Sequence, residues 1–180
     1  MRKTIKNKPK LQFTDEEFNS GDGMLTTIWG PGIWHFLHTM SFNYPINPTS
    51  TDKNHYKNFI LSLQNILPCG KCRENLKNNL KLLPLEQKHL KNRESFSKYI
   101  FDLHETVNTM LNKISGLTYE QVRNRYEHFR ARCNNKTYKK KENGCTNALH
   151  GKKSKCVLHI VPQTMICDTL QIDKQCVNET

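Results

Sequence analysis

The chain has 180 residues, with Lys+Arg 28 against Asp+Glu 16 for a formal charge of +12, a hydrophobic fraction of 36% and a mean hydropathy of -0.75. That length carries one compact domain with some excess at the ends, and no run approaches the ~20 apolar residues that span a bilayer. The N-terminus MRKTIKNKPK continues into LQFTDEEF instead of an apolar core, so neither a cleaved secretory signal nor a membrane span is expected. The positive charge is spread along the chain, with short Lys runs at Lys139-Lys140-Lys141 and Lys152-Lys153. A diffuse excess of Lys among many Asn reads as compositional bias, and no nucleic-acid partner is expected.

Residues 1–23 are charged, lack a sustained period and end in the breaker cluster Asn19-Ser20-Gly21-Asp22-Gly23, the pattern of a mobile arm. From Ile28 the apolar residues Ile33, Leu37, Met40 and Tyr44 recur at helical spacing, with Pro31 placed in the first turn. A second helix carries Tyr56, Phe59, Ile60, Leu63 and Leu67 and is stopped by Pro68. That proline sets Cys69 at the mouth of a third helix, roughly 69–82, with Leu76, Leu80 and Leu83. A fourth helix, opened by Ser95, has the best-marked apolar face: Phe96, Tyr99, Ile100, Leu103, Val107 and Leu111. Gly116 breaks it, and Thr118 with Gln121 forms a capping box for a fifth helix bearing Val122, Tyr126 and Phe129. Short connections make the expected fold all-α: an antiparallel four-helix bundle with a short fifth helix over 24–133. Residues 134–180 form a basic linker and a cysteine-containing tail with too little apolar surface for a core of its own.

Cysteine is the specific signal. Cys69 and Cys72 form Cys-Gly-Lys-Cys, whose spacing lets two sulfurs meet across the first turn of a helix. At a helix N-terminus unpaired N–H groups and the dipole favour thiolate, and Lys71 is expected to add positive charge, so the pair reads as redox-active. Polar side chains on otherwise apolar helices suggest where electrons would go. Trp34 and His38 stand at i, i+4 on the first helix, and His104 and Asn108 repeat that spacing on the fourth. Flat indole and imidazole rings suit a buried aromatic cofactor, and Lys113, a turn further on, suits a phosphate. A rival reading places a zinc module in the tail on Cys145, His150, Cys156, His159 and Cys167, but the spacings fit no common zinc pattern, and no metal site is expected.

Three segments in this order resemble the Erv/ALR family of FAD-linked sulfhydryl oxidases: Trp29-Gly30-Pro31-Gly32-Ile33-Trp34-His35-Phe36-Leu37-His38-Thr39 with Tyr44-Pro45, then Pro68-Cys69-Gly70-Lys71-Cys72, then Phe96 with His104-Glu105-Thr106-Val107-Asn108 and Leu111-Asn112-Lys113. The resemblance implies a helical bundle holding FAD beside the cysteine pair, and a homodimer packed through the first two helices. It makes Cys69 the interchange cysteine and Cys72 the flavin-proximal one. Trp29, Gly30, Trp34, His38 and Tyr44 are implied at the cofactor from the first helix. His104, Val107, Asn108, Leu111 and Lys113 are implied around its adenine, ribose and phosphates, with Tyr126 where cellular members commonly carry Trp.

The implied activity takes electrons from a thiol-containing protein substrate or redox relay protein to O2, giving hydrogen peroxide. Two departures stand out: Glu105 replaces a family Asn, and Tyr119 stands where cellular members carry the first cysteine of a staple that Cys133 would complete. The arrangement resembles compact enzymes of large cytoplasmic DNA viruses, which implies host cytoplasm or virion, and otherwise the mitochondrial intermembrane space. For Cys133, Cys145, Cys156, Cys167 and Cys176, structural disulfides, an electron shuttle and free thiols all remain open.

Overall fold

A computed structural model of the chain describes residues 13–132 and 147–149. Cys133, the four tail cysteines and the zinc reading of the tail lie outside them. The described helices are α1 (Asp15–Phe18), α2 (Thr26–Phe42), α3 (Ser50–Ile66), α4 (Gly70–Leu82), a 3-10 turn (Gln87–Leu90), α5 (Arg93–Met110) and α6 (Tyr119–Glu127). The fold is all-α apart from one two-residue ladder, in which β1 (Ala131–Arg132) pairs antiparallel with β2 (Asn147–Ala148). No described helix is long and apolar enough to cross a membrane.

Each helix start has a local cause, with one exception. Thr49 and Asp52 cap each other reciprocally at α3, as Thr118 and Gln121 do at α6. At α5 the cap is Asn92, whose Oδ1 accepts the Ser95 N–H at 2.9 Å, so the helix begins ahead of the expected Ser95. The exception is α2: Leu25 precedes it without any side-chain cap. Because α2 starts at Thr26, Pro31 lies inside the helix instead of in its first turn, and the Thr27 carbonyl receives no bond from position 31.

Tertiary contacts hold this uncapped end. The Met24 N–H donates to the Pro68 carbonyl at 2.7 Å and the Trp29 Nε1 to the Met24 carbonyl at 3.0 Å. Gly23 sits so close that a Cβ there would lie 2.9 Å from the Pro68 oxygen and 3.0 Å from Cys69 Cα. The predicted arm therefore contains a capped α1, with Thr14 and Glu17 as its box, and a segment docked beside the cysteine pair.

The core lies between α2, α3, α4 and α5, where Leu37, Ile60, Leu63, Leu76, Leu80, Phe96, Ile100 and Leu103 are buried. Full burial of a side chain such as Phe96 contributes about 1.5–3 kcal/mol. A smaller cluster of Phe42, Tyr119 and Val122, flanked by Phe101, Leu117 and Tyr126, seats α6 on α2 and α5. It is pinned by the Ser97 Oγ to Tyr119 OH bond at 2.8 Å and by Arg130, which donates to the Phe42 carbonyl while paired with Glu127. This packing sets two places where chemistry is possible: the mouth of α4 and the junction of α2, α5 and α6.

Candidate active site

Cys69 is the N-cap of α4, in extended backbone at φ -146 and ψ 121, and its Sγ accepts the Cys72 N–H at 3.2 Å. Both cysteines are free thiols and partly exposed. Hydrogen bonding from Cys72, through its side chain and then its backbone, holds the Cys69 thiol below the ordinary cysteine range, whereas burial pushes Cys72 up. Of the two sulfurs, Cys69 is thus the more acidic. The Lys71 ammonium does not supply that effect, since its Nζ pairs with Glu74 at 3.0 Å on an exposed helix face; Lys71 adds only a backbone hydrogen bond, the smallest of the causes. The turn before Cys69 is braced by Arg73, which donates to the Leu67 carbonyl.

At the second place α2 and α5 bring together the rings that the spacing singled out. Trp34 stacks on His104 with centroids 3.9 Å apart and planes 6° from parallel. His38 Nε2 lies 3.0 Å from His104 Nδ1. Tyr126 of α6 closes the group, 5.3 Å from the His38 ring and bonded through its OH to His35 Nδ1 at 3.2 Å. Burial, then the neighbouring His104, then His35 depress His38 to about 4, and burial also lowers His104. The hydrogen bond between the two imidazoles uses one nitrogen of each ring, and of the two left over His38 Nδ1 is buried without a partner. Whichever tautomer it adopts, an unmade bond at this depth costs about 1–3 kcal/mol, so the nitrogen is set for a polar group of a bound molecule.

Beside it is a cavity of about 110 Å³ lined by residues that include His38, His104, Glu105, Arg125 and Tyr126. It is smaller than the roughly 300 Å³ at which small-molecule sites begin, so it takes part of a ligand and leaves the rest on the surface. An open groove of about 470 Å³ on α4 and α5 adjoins it through Glu105, with Asn79, Asp102 and Met110 among its walls. Glu105 is occupied as a local anchor, accepting from Asn108 Nδ2 and Ser115 Oγ, each at 2.9 Å. Asn108 therefore faces Glu105, and Lys113 is exposed.

Other residues named from the sequence lie apart from this group. Tyr44 is fully buried in the main core, with its OH donated to the Leu90 carbonyl at 3.0 Å. Trp29 braces Met24, Gly30 is buried at the start of α2, Val107 is half-buried and Leu111 is exposed. Sequence reasoning missed Arg125, a cation at the cavity, and Thr26, whose hydroxyl lies 3.3 Å from Cys72 Sγ. No pattern marks Thr26, because its contact spans 46 positions. Among the described residues no group of three or more His, Cys, Asp or Glu is arranged to hold a metal ion.

The depressed His38 has a thermodynamic consequence. The unfolded chain takes up that proton near 6.5 and the folded one only near 4, so between these values the unfolded state binds more protons and stability falls with falling pH. The loss is at most about 3 kcal/mol for this residue. The urea midpoint is expected to drop between pH 7 and pH 5, and His38→Gln should flatten that drop; an unchanged slope in the variant would contradict the buried neutral imidazole.

The site thus defines a helical-bundle protein with a dithiol at one helix mouth and a stacked aromatic pair between helices. The chain belongs to the Erv1 / Alr family, whose model matches residues 31–148. It is 42% identical over 94 residues to a probable FAD-linked sulfhydryl oxidase of Acanthamoeba polyphaga mimivirus, covering 52% of this chain and 65% of that protein. It is 32% identical over 99 residues to an FAD-linked sulfhydryl oxidase of African swine fever virus, covering 55% and 80%. A mitochondrial relative from Schizosaccharomyces pombe is 33% identical over 84 residues, 47% of this chain and 46% of that one. The chain thus spans less than two thirds of the length of several curated relatives. The yeast Erv1 core crystal structure shares the fold, with a TM-score of 0.52 at 20% identity over 66% of this chain and 92% of that one.

Proposed function

We propose that the chain is an FAD-dependent sulfhydryl oxidase that forms protein disulfides. The observation that carries the reading is the pairing of a dithiol whose solvent-side sulfur is the more acidic with a stacked Trp34–His104 wall beside an unpartnered buried His38 nitrogen. Relatives described as FAD-linked sulfhydryl oxidases support it. When bound, FAD supplies two-electron acceptance from a dithiol and returns the pair to O2 as hydrogen peroxide. Trp34, His38, His104 and Tyr126 would hold its rings, Arg125 of α6 lines the adjoining cavity, and Lys113, past the end of α5, is the exposed cation that would meet its phosphates.

The remaining chemistry belongs to the chain. A substrate thiolate attacks Cys69 Sγ of the Cys69–Cys72 disulfide; the new S–S bond forms there, and Cys72 leaves with the bonding pair as a thiolate. A second substrate thiol then displaces Cys69, closing the substrate disulfide and leaving the electron pair on the enzyme's cysteines. We assign a second copy of the chain to the outer face of α2 and α3, where half-exposed Phe36 meets Phe59 edge-on with centroids 6.0 Å apart. The purified protein should be yellow, with a flavin band near ~450 nm; a colourless folded protein that takes up no FAD would overturn the reading.

We place the oxidase domain at 24–133 and the tail at 134–180. A chain ended after Cys133 loses the β1–β2 ladder, worth about 1 kcal/mol per hydrogen bond, and should still fold and oxidise dithiothreitol at the full-chain rate. Failure at that boundary, rescued by ending the chain after Leu149, would move the domain limit past β2.

A further inference from the structure

The contact between Thr26 and Cys72 has no counterpart in the sequence motifs. Thr26 opens α2, and its Oγ1 lies 3.3 Å from Cys72 Sγ. The helix end that carries it has no cap of its own and is held in place by the same turn that carries the dithiol, through Met24 on the Pro68 carbonyl and Gly23 against Cys69. A missing cap on a 17-residue helix, compensated by contacts to the redox turn, fixes the hydroxyl relative to the sulfur.

We propose that Thr26 is a positioning residue of the redox centre, its hydroxyl holding the Cys72 sulfur and donating to it when that sulfur leaves Cys69 as a thiolate. The proposal rests on the oxidase reading of the cysteine pair.

In the resting dithiol hydrogen bonding makes Cys69 the more acidic sulfur and burial makes Cys72 the less acidic, so the form of Cys72 that Thr26 meets there is the thiol. Once a substrate thiolate has attacked Cys69, the Cys69 sulfur is in a neutral mixed disulfide and the departing electron pair resides on Cys72. At that stage burial opposes the new thiolate, while a hydroxyl and the positive end of α2 favour it. Among the described residues the side chains that act on the Cys72 sulfur are Cys69, at the N-cap of α4, and Thr26; Lys71 is paired with Glu74 and Arg73 donates to the Leu67 carbonyl. From α2 the recorded contact to this sulfur is Thr26. A hydroxyl suits the task because it can accept from the thiol and donate to the thiolate without moving.

The test uses the full chain with Cys69→Ser, which leaves Cys72 facing Thr26 with no sulfur partner. The rate of Cys72 alkylation by iodoacetamide is followed against pH, with peptide mass spectrometry separating Cys72 from the tail cysteines. Adding Thr26→Val should raise the midpoint of the profile and lower the thiolate fraction at neutral pH roughly three- to tenfold. Thr26→Ser should restore the original profile, and Thr26→Ala, which has Ser's size without its hydroxyl, should behave as Val does. Superimposable profiles for Val and Thr, or a Ser variant that behaves like Ala, would overturn the proposal. The measurement needs neither flavin nor oxygen, so its failure leaves the oxidase reading standing, whereas a parental chain without thiol-dependent oxygen uptake would sink that reading and with it the redox role of Thr26.

Discussion

Cys72→Ser should cut thiol-dependent oxygen consumption at least about a thousandfold while leaving the flavin bound and the bundle folded. A serine keeps the backbone N–H that Cys69 accepts from, so the N-cap of α4 survives. What disappears is the sulfur that accepts the electron pair when Cys69 is attacked, and a hydroxyl at position 72 cannot form the disulfide that begins the cycle. Cys69→Ser should be equally inactive for a different reason: the attacked sulfur is gone, but the proposed flavin-proximal Cys72 remains. That variant is expected to show a long-wavelength thiolate-to-flavin band that Cys72→Ser lacks. Oxygen uptake by Cys72→Ser at the parental rate, measured with an oxygen electrode, would remove the pair from the mechanism.

The second large effect is expected at the histidines. His38 and His104 approach each other from α2 and α5 at 3.0 Å, and His104 is also the stacking partner of Trp34. Replacing both by Ala removes the hydrogen bond, the stacked wall and the unpartnered nitrogen together, so purified protein should carry little or no flavin. Thermal melts give an independent reading. A ligand that binds only the folded state adds about 2.7 kcal/mol at a hundredfold excess over its Kd, so added FAD should raise the melting temperature of the parental protein and not that of the double variant. Equal flavin content in the two proteins would take the cofactor away from this junction.

The features readable in the sequence share a cause: they are written within one or two helical turns. Pro68 before Cys69, the Thr118 and Gln121 box, and the i, i+4 pairing of Trp34 with His38 are local, and the structure has them where the spacing put them. The bundle followed from the apolar stripes of α3 and α5, which bury Ile60 and Leu63 on one side and Phe96, Ile100 and Leu103 on the other.

The unread features depend on distant partners. The start of α2 was placed two residues late because nothing caps it locally; the Pro68 carbonyl and the Cys72 sulfur hold it instead. Pro31 suggested a first turn, yet those contacts carry the helix past it. Asn92 and Ser95 both have the chemistry of a cap, and only the bond from the Ser95 N–H to Asn92 shows which one acts. Tyr44 is aromatic and close in sequence to Trp34 and His38, and its hydroxyl donates to the Leu90 carbonyl inside the core. Lys71 lies between the cysteines in sequence, while the helix turns its side chain outward to Glu74. Glu105 departs from the family pattern, and the structure gives it a role that sequence could not supply: it ties Asn108 to the Ser115 loop.

Anaerobic titration of the purified protein with dithiothreitol tests the central claim most directly, because it joins the cysteine pair to the cofactor without any substrate of unknown identity. The account predicts that the ~450 nm band bleaches with about one dithiol per flavin, and that admitting O2 restores it with release of hydrogen peroxide. A flavin band that persists under excess dithiol in the parental chain would contradict electron transfer from Cys69 and Cys72 to a bound flavin.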